Sequence, residues 1–124
     1  MPKLNKQLCK SFLPSIDEKS EILILGSMPG VKSLEEQQYY AHPQNRFWKL
    51  MGKICNANNL PELSYQKKLQ ILLKNKIALW DVIKSCNRNG SLDSNIKNEI
   101  PNDISELLTQ FPNIKIICLN GNKS

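Results

Sequence analysis

Three short apolar runs punctuate the chain: EILILG at residues 21–26, IALWDVI at 77–83 and IKIICLNG at 114–121, each bounded by polar or Gly/Pro residues. Rich in aliphatic, largely β-branched side chains, they read as buried strands. Between the first two, RFWKLMGKI (46–54) and SYQKKLQILLKN (64–75) repeat apolar residues at three-to-four spacing, as Leu69, Leu72 and Leu73 do, which predicts two amphipathic helices. Before the third run, NDISELLTQF (102–111) places Asp103 three residues ahead of Glu106, the spacing of a capping box, and Pro112 ends the helix it opens. Strands alternating with helices pair in parallel, and such a sheet is covered on both faces. The expected class is α/β.

At 124 residues the chain has length for one domain with one core, 1–124. Its apolar fraction of 40% argues against disorder. No apolar stretch approaches the roughly 20 residues of a membrane span, and the N-terminus lacks the hydrophobic core and cleavage site of a signal peptide. A cytoplasmic location with no membrane partner is expected. Cys9, Cys55, Cys86 and Cys118 lie far apart, with no C-x-x-C and no Cys/His pair at metal-ligand spacing, so they read as reduced structural thiols. The net charge of +6 suits a polyanionic partner such as DNA or RNA, although many lysine-rich proteins share it.

After the first apolar run comes GSMPGVKS, one residue short of a phosphate-binding loop. Gly26, Lys32 and Ser33 occupy the motif's positions, but Val31 stands where the second glycine belongs, and a β-branched residue resists positive φ. The only apolar run that brings a magnesium-holding Asp is IALWD, and Asp81 is followed by two further apolar residues. The better reading is a tight turn at the strand's carboxyl end, where small residues let a flat ligand approach the backbone.

Downstream, QQYYAHPQNRFW (37–48) packs the only His, two Tyr, a Phe, a Trp and an Asn into twelve residues. Rings beside an amide suit a planar heterocycle, which stacks on the ring while the amide reads its edge. Phe47 and Trp48, which begin the amphipathic helix, read as core. Tyr40, His42 and Asn45, in the irregular stretch before it, read as functional, with an N-cap role the competing reading for Asn45. The polar segment 84–102 reads as a long loop after the second strand, a wall of a site at the carboxyl end of the sheet.

These stretches, in order LILGSMPGVKS, QYYAHPQNRFW, IALWDVIKSCNRNGSLDSNIKNEIPNDI and ICLNGNK, resemble the uracil-DNA glycosylase superfamily and most closely its hypoxanthine-DNA (deoxyinosine) glycosylase branch. The resemblance implies a three-layer α/β/α fold with a short parallel sheet. It implies hydrolysis of the N-glycosidic bond of a deaminated base, hypoxanthine first and uracil second, flipped out of double-stranded DNA. The enzyme it implies is a monomer that uses water, with no metal or cofactor, at the nucleoid. On matched positions, Gly26, Ser27, Met28, Pro29 and Gly30 would line the base pocket and place the attacking water. Tyr40 would stack on the base, His42 would lie in the same base-binding stretch and Asn120 would read the base edge. Many relatives carry a catalytic Asn or Asp where Met28 stands, so the catalytic role passes to Asn45. The family continues with a further helix and a Pro/Ser-rich loop, whereas this chain ends at NGNKS, so the resemblance implies a C-terminally truncated domain. Alternatives are an inactive fragment, a noncatalytic base- or nucleic-acid-binding module, and a small nucleotide-binding module.

Overall fold

The computed structural model describes residues 8–120. Its elements are β1 (Leu8–Lys10), β2 (Ile22–Gly26), α1 (Val31–Glu36), α2 (Phe47–Ile54), α3 (Tyr65–Lys74), β3 (Ile77–Asp81), β4 (Ile83–Asn87), β5 (Lys97–Pro101), α4 (Ile104–Gln110) and β6 (Ile116–Leu119). Single 3-10 turns lie at Leu60–Glu62 and Asp93–Asn95.

The three apolar runs form a parallel sheet in the order β3-β2-β6. Ile22 lies opposite both Ile77 and Ile116 in this register. Alternation along each strand sends side chains to opposite faces. Ile22, Ile24, Ile77 and Leu79 pack with Trp48 and Met51 of α2, Leu60, and Leu72 of α3. Leu23, Leu25 and Ala78 pack with Leu107 of α4 on the other face. Helices therefore cover both faces, giving the expected three layers, and each fully buried aliphatic side chain contributes roughly 1.5–3 kcal/mol. The predicted cap forms, with Asp103 Oδ1 accepting from the Glu106 N–H at 3.0 Å, and the structure adds one at α3, where the Ser64 hydroxyl accepts from the Lys67 N–H at 3.4 Å.

The structure corrects three expectations. First, residues 77–83 are not one strand. β3 ends at Asp81, Val82 donates its N–H to the Gly26 carbonyl and Ile83 donates to that of Ser27, so the chain steps off the sheet. Second, residues 84–102 are not a loop. β4 and β5 pair antiparallel and, with β1, form a second sheet in the order β1-β4-β5. All five residues of β5 are exposed, so backbone pairing holds it and no apolar alternation announces it. Third, no residue of β6 is buried; Ile116 and Leu119 are 54% and 63% exposed. An apolar run reports what a strand is able to bury, and among the described residues β6 has β2 alone as a neighbour. The short helix α1, which follows the tight turn after β2, has no strong apolar period to signal it. Among the described residues no helix is long and apolar enough to cross a membrane.

Candidate functional site

The parallel register brings three strand ends together. Gly26 lies directly opposite Asp81, and Asn120, just past β6, donates its N–H to the Leu25 carbonyl at 2.7 Å. These ends open into a cavity of about 200 Å³ that is also lined by the turn residues Ser27, Met28, Pro29 and Gly30 and by Ser33, Tyr39, Tyr40 and Asn45. Open α/β sheets bind ligands at this end of their strands. The volume is below the roughly 300 Å³ at which drug-sized pockets begin and suits one flat ring system.

The cavity floor is a carboxylate. Asp81 is 4% exposed, and a Cβ on Gly26 would sit 2.6 Å from its Oδ1 and 3.4 Å from the Tyr40 hydroxyl. Glycine is required here by that close approach. Burial, reinforced by the Asp81 charge, pushes the Tyr40 phenol up to about 12, against the opposing hydrogen bond from Asn120 Nδ2 at 3.2 Å. Burial followed by the Asp81 charge raises Tyr39 as well, and burial raises Tyr65. Tyr40 therefore keeps its proton throughout the neutral range. A folded pKa above the ordinary 10.0 gives stability that is complete below pH 10 and is lost as pH rises towards 12. Thermal unfolding between pH 8 and 12 is expected to show this decline, and Tyr40→Phe to reduce it.

Tyr40 has φ of 55°, a left-handed conformation that costs a bulky residue about 1–2 kcal/mol. Its neighbours hold it there. The Tyr39 N–H donates to the Tyr65 hydroxyl at 3.0 Å, the Tyr39 carbonyl accepts from Trp48 Nε1 at 3.2 Å, and the Tyr39 hydroxyl donates to the Leu13 carbonyl at 3.0 Å. On the other side the Ala41 N–H donates to the Ser33 hydroxyl at 3.0 Å. The Tyr40 ring is backed by Phe47, stacked at 3.7 Å between centroids and 18° between planes. The result is a rigid, oriented ring at the cavity wall.

Asn45 combines the two roles left open by its sequence. Its Oδ1 accepts from the Phe47 N–H at 2.9 Å, satisfying one of the unpaired donors at the start of α2, while the residue lines the cavity. This bond fixes the amide orientation, because only the oxygen can accept, and leaves Oδ1 a second lone pair.

Met28 packs with Ile83, Cys86 and Ile96 in a small core beneath the second sheet, which accounts for an apolar residue at that position. The segment 84–102, expected as a wall of the site, contributes no residue to the cavity lining; as a folded hairpin it braces the turn that does. The buried Arg88 guanidinium donates to the Pro29 carbonyl, and the Ser91 hydroxyl accepts from the Val31 N–H at 2.8 Å. That bond engages the Val31 amide, one of the backbone donors a phosphate-binding turn would leave free.

Of the residues singled out from sequence, Gly26, Ser27, Met28, Pro29, Gly30, Tyr40, Asn45 and Asn120 line this one cavity. His42 does not. It is exposed, lines the neighbouring groove, and accepts from the Gln44 N–H through Nδ1 at 3.1 Å. Sequence reasoning missed Asp81 and Ser33, which line the cavity, and Arg88, which braces its turn. The signal for Asp81 was present: a carboxylate closing an apolar strand, IALWD, has to be buried for a reason. For Ser33 and Arg88, which act on segments distant in sequence, there was none.

Comparison with known proteins agrees with this architecture. The family profile of the Uracil DNA glycosylase superfamily matches residues 13–124. The chain is 48% identical over 115 residues to a protein of Methanosarcina barkeri named Hypoxanthine DNA glycosylase, covering 93% of this chain and 72% of that one. A protein of the same name from Methanosarcina acetivorans is 46% identical over the same shares. The solution NMR structure of a candidate uracil DNA glycosylase from Methanosarcina acetivorans superposes with a TM-score of 0.84 at 45% identity, covering 94% of this chain and 71% of that one. A profile match over nearly the whole chain, these identities and the shared fold establish that the chain belongs to the uracil DNA glycosylase superfamily.

Proposed function

We propose that the protein hydrolyses the N-glycosidic bond of a deaminated base, hypoxanthine first and uracil second, extruded from double-stranded DNA into the cavity at the strand ends. The observation that carries this reading is the convergence of an oriented ring, two amides and a buried carboxylate on a cavity sized for one base. Tyr40, backed by Phe47, stacks on the base. Asn120 presents amide groups to the base edge. Asp81 accepts from the ring N–H that hypoxanthine and uracil carry where adenine and cytosine have an unprotonated nitrogen, which selects the deaminated form. The second lone pair of Asn45 Oδ1 orients a water towards C1′.

In the reaction the water oxygen bonds to C1′ as the bond from C1′ to the base nitrogen breaks. The bond pair leaves with the base, which takes up a proton, and the water's proton is released. The transition state is oxocarbenium-like, so a strong nucleophile is unnecessary. Fixed dipoles placed where charge develops do the catalytic work. Extrusion costs a few kcal/mol and less for a mispaired base, which adds selectivity. The names of the Methanosarcina relatives support hypoxanthine as the first base to test.

The test is alkaline strand scission of duplexes carrying one deoxyinosine, deoxyuridine or deoxyadenosine. Scission at deoxyinosine, less at deoxyuridine and none at deoxyadenosine is expected. A folded protein that leaves every duplex intact overturns the reading.

A further inference from the structure

Two open grooves of about 420 and 440 Å³ flank the base cavity, and Asn45 lines all three spaces. The first groove carries Arg46, Lys49 and Lys53; the second carries Arg46, Lys49 and Lys68. Among the described residues, no carboxylate lines either. Arg46, Lys49 and Lys53 recur at three- and four-residue steps, so they form one stripe along the solvent face of α2, while Phe47, Trp48 and Met51 fill its buried face. Lysines on a solvated helix face are commonplace, but they usually alternate with acids. Among the described residues, ion pairs lie elsewhere, joining Lys32 to Glu36 and both Lys76 and Lys115 to Glu21. Lys68 is held at its groove wall, with Nζ 5.3 Å from the centroid of the Trp48 ring.

Resting on the glycosylase reading, we propose that this face of α2 is a phosphate track for the strand that carries the extruded nucleotide. The strand crosses the first turn of α2, with the phosphates on one side of the lesion held by Lys49 and Lys53 and those on the other by Arg46 and Lys68. Its geometry follows from Asn45: a nucleotide whose base fills the cavity has its backbone above Asn45, between the two basic grooves. Lysines act as point charges that grip the backbone without reading bases, as a protein that finds lesions in any sequence requires. The track would hold the DNA in register while the cavity selects the base.

The test is fluorescence anisotropy of a deoxyinosine duplex across a sodium chloride series, with single-turnover base release measured beside it. Lys49→Gln/Lys53→Gln is compared with a control of equal charge on the second sheet, Lys10→Gln/Lys97→Gln. Each phosphate contact contributes about 0.9 to the slope of log K against log salt, so losing two is expected to flatten it by about 2. The control keeps both the parent slope and the parent rate of base release. Both track residues are exposed. If the double variant misfolds, Lys53→Gln alone is expected to flatten the slope by about 1. Equal flattening by the control, or a parent slope in the track variant, overturns the track. A parent protein that binds DNA and never releases hypoxanthine overturns the glycosylase reading, whereas slope loss in the track variant alone still upholds the track. A protein that does not bind DNA overturns both.

Discussion

Asn45→Ala is expected to slow base release by about 10²- to 10³-fold, the usual cost of removing one polar group that is oriented towards a transition state. The same substitution is expected to lower stability by about 1 kcal/mol, because the Phe47 N–H at the start of α2 loses its acceptor. Asn45→Asp separates the two effects. A carboxylate still accepts from Phe47 and places negative charge at a helix start, so the melting temperature is maintained. It also still accepts from a water, so most of the activity remains. Single-turnover kinetics and thermal unfolding of both variants decide the matter. If Asn45→Ala melts lower yet turns over at the parent rate, the side chain is a helix cap and nothing more.

Gly26→Ala is the second substitution with a large expected effect. The added Cβ would lie 2.6 Å from Asp81 Oδ1, and the β2–β3 ladder holds both backbones in place, so the Asp81 side chain must move. Overpacking of this kind costs about 1–3 kcal/mol. Displacing a group that contacts the base by about 1 Å costs about 10²-fold in rate. In the Gly26→Ala background, Asp81→Ser removes the clash, and the double variant is expected to recover its melting temperature but not base release. Recovery of both would mean that Asp81 contributes only packing, and the proposed recognition of the ring N–H would be lost with it.

The parts of this molecule that were legible in sequence are those whose signal is local. The strands around Leu23, Leu79 and Ile117, the helices signalled by three-to-four spacing in residues 46–54 and 64–75, and the cap at Asp103 each rest on a signal within one element and each forms, although 77–83 divides between two strands and β6 is not buried. The antiparallel sheet was not legible, because β5 buries none of its residues and its pairing with β4 is a backbone matter. His42 and Asn45 are three residues apart and looked equivalent in composition. They part company because the stretch turns between them, so that both line the exposed groove but only Asn45 also reaches the cavity.

The site divides the same way. Sequence alone determined the class of fold, the turn after β2, the ring-and-amide stretch and the family they resemble, since each rests on residue types at short, ordered spacings. Tertiary structure alone decided that Asp81 is the cavity floor, that Arg88 and Ser91 brace the turn from the second sheet, and that Tyr40 is held at positive φ by Tyr39 and Ala41 contacts. It also decided that the basic face of α2 borders the base cavity. These are relations between residues up to about a hundred positions apart, set by strand register and by the packing of one sheet on another, and no local pattern records them.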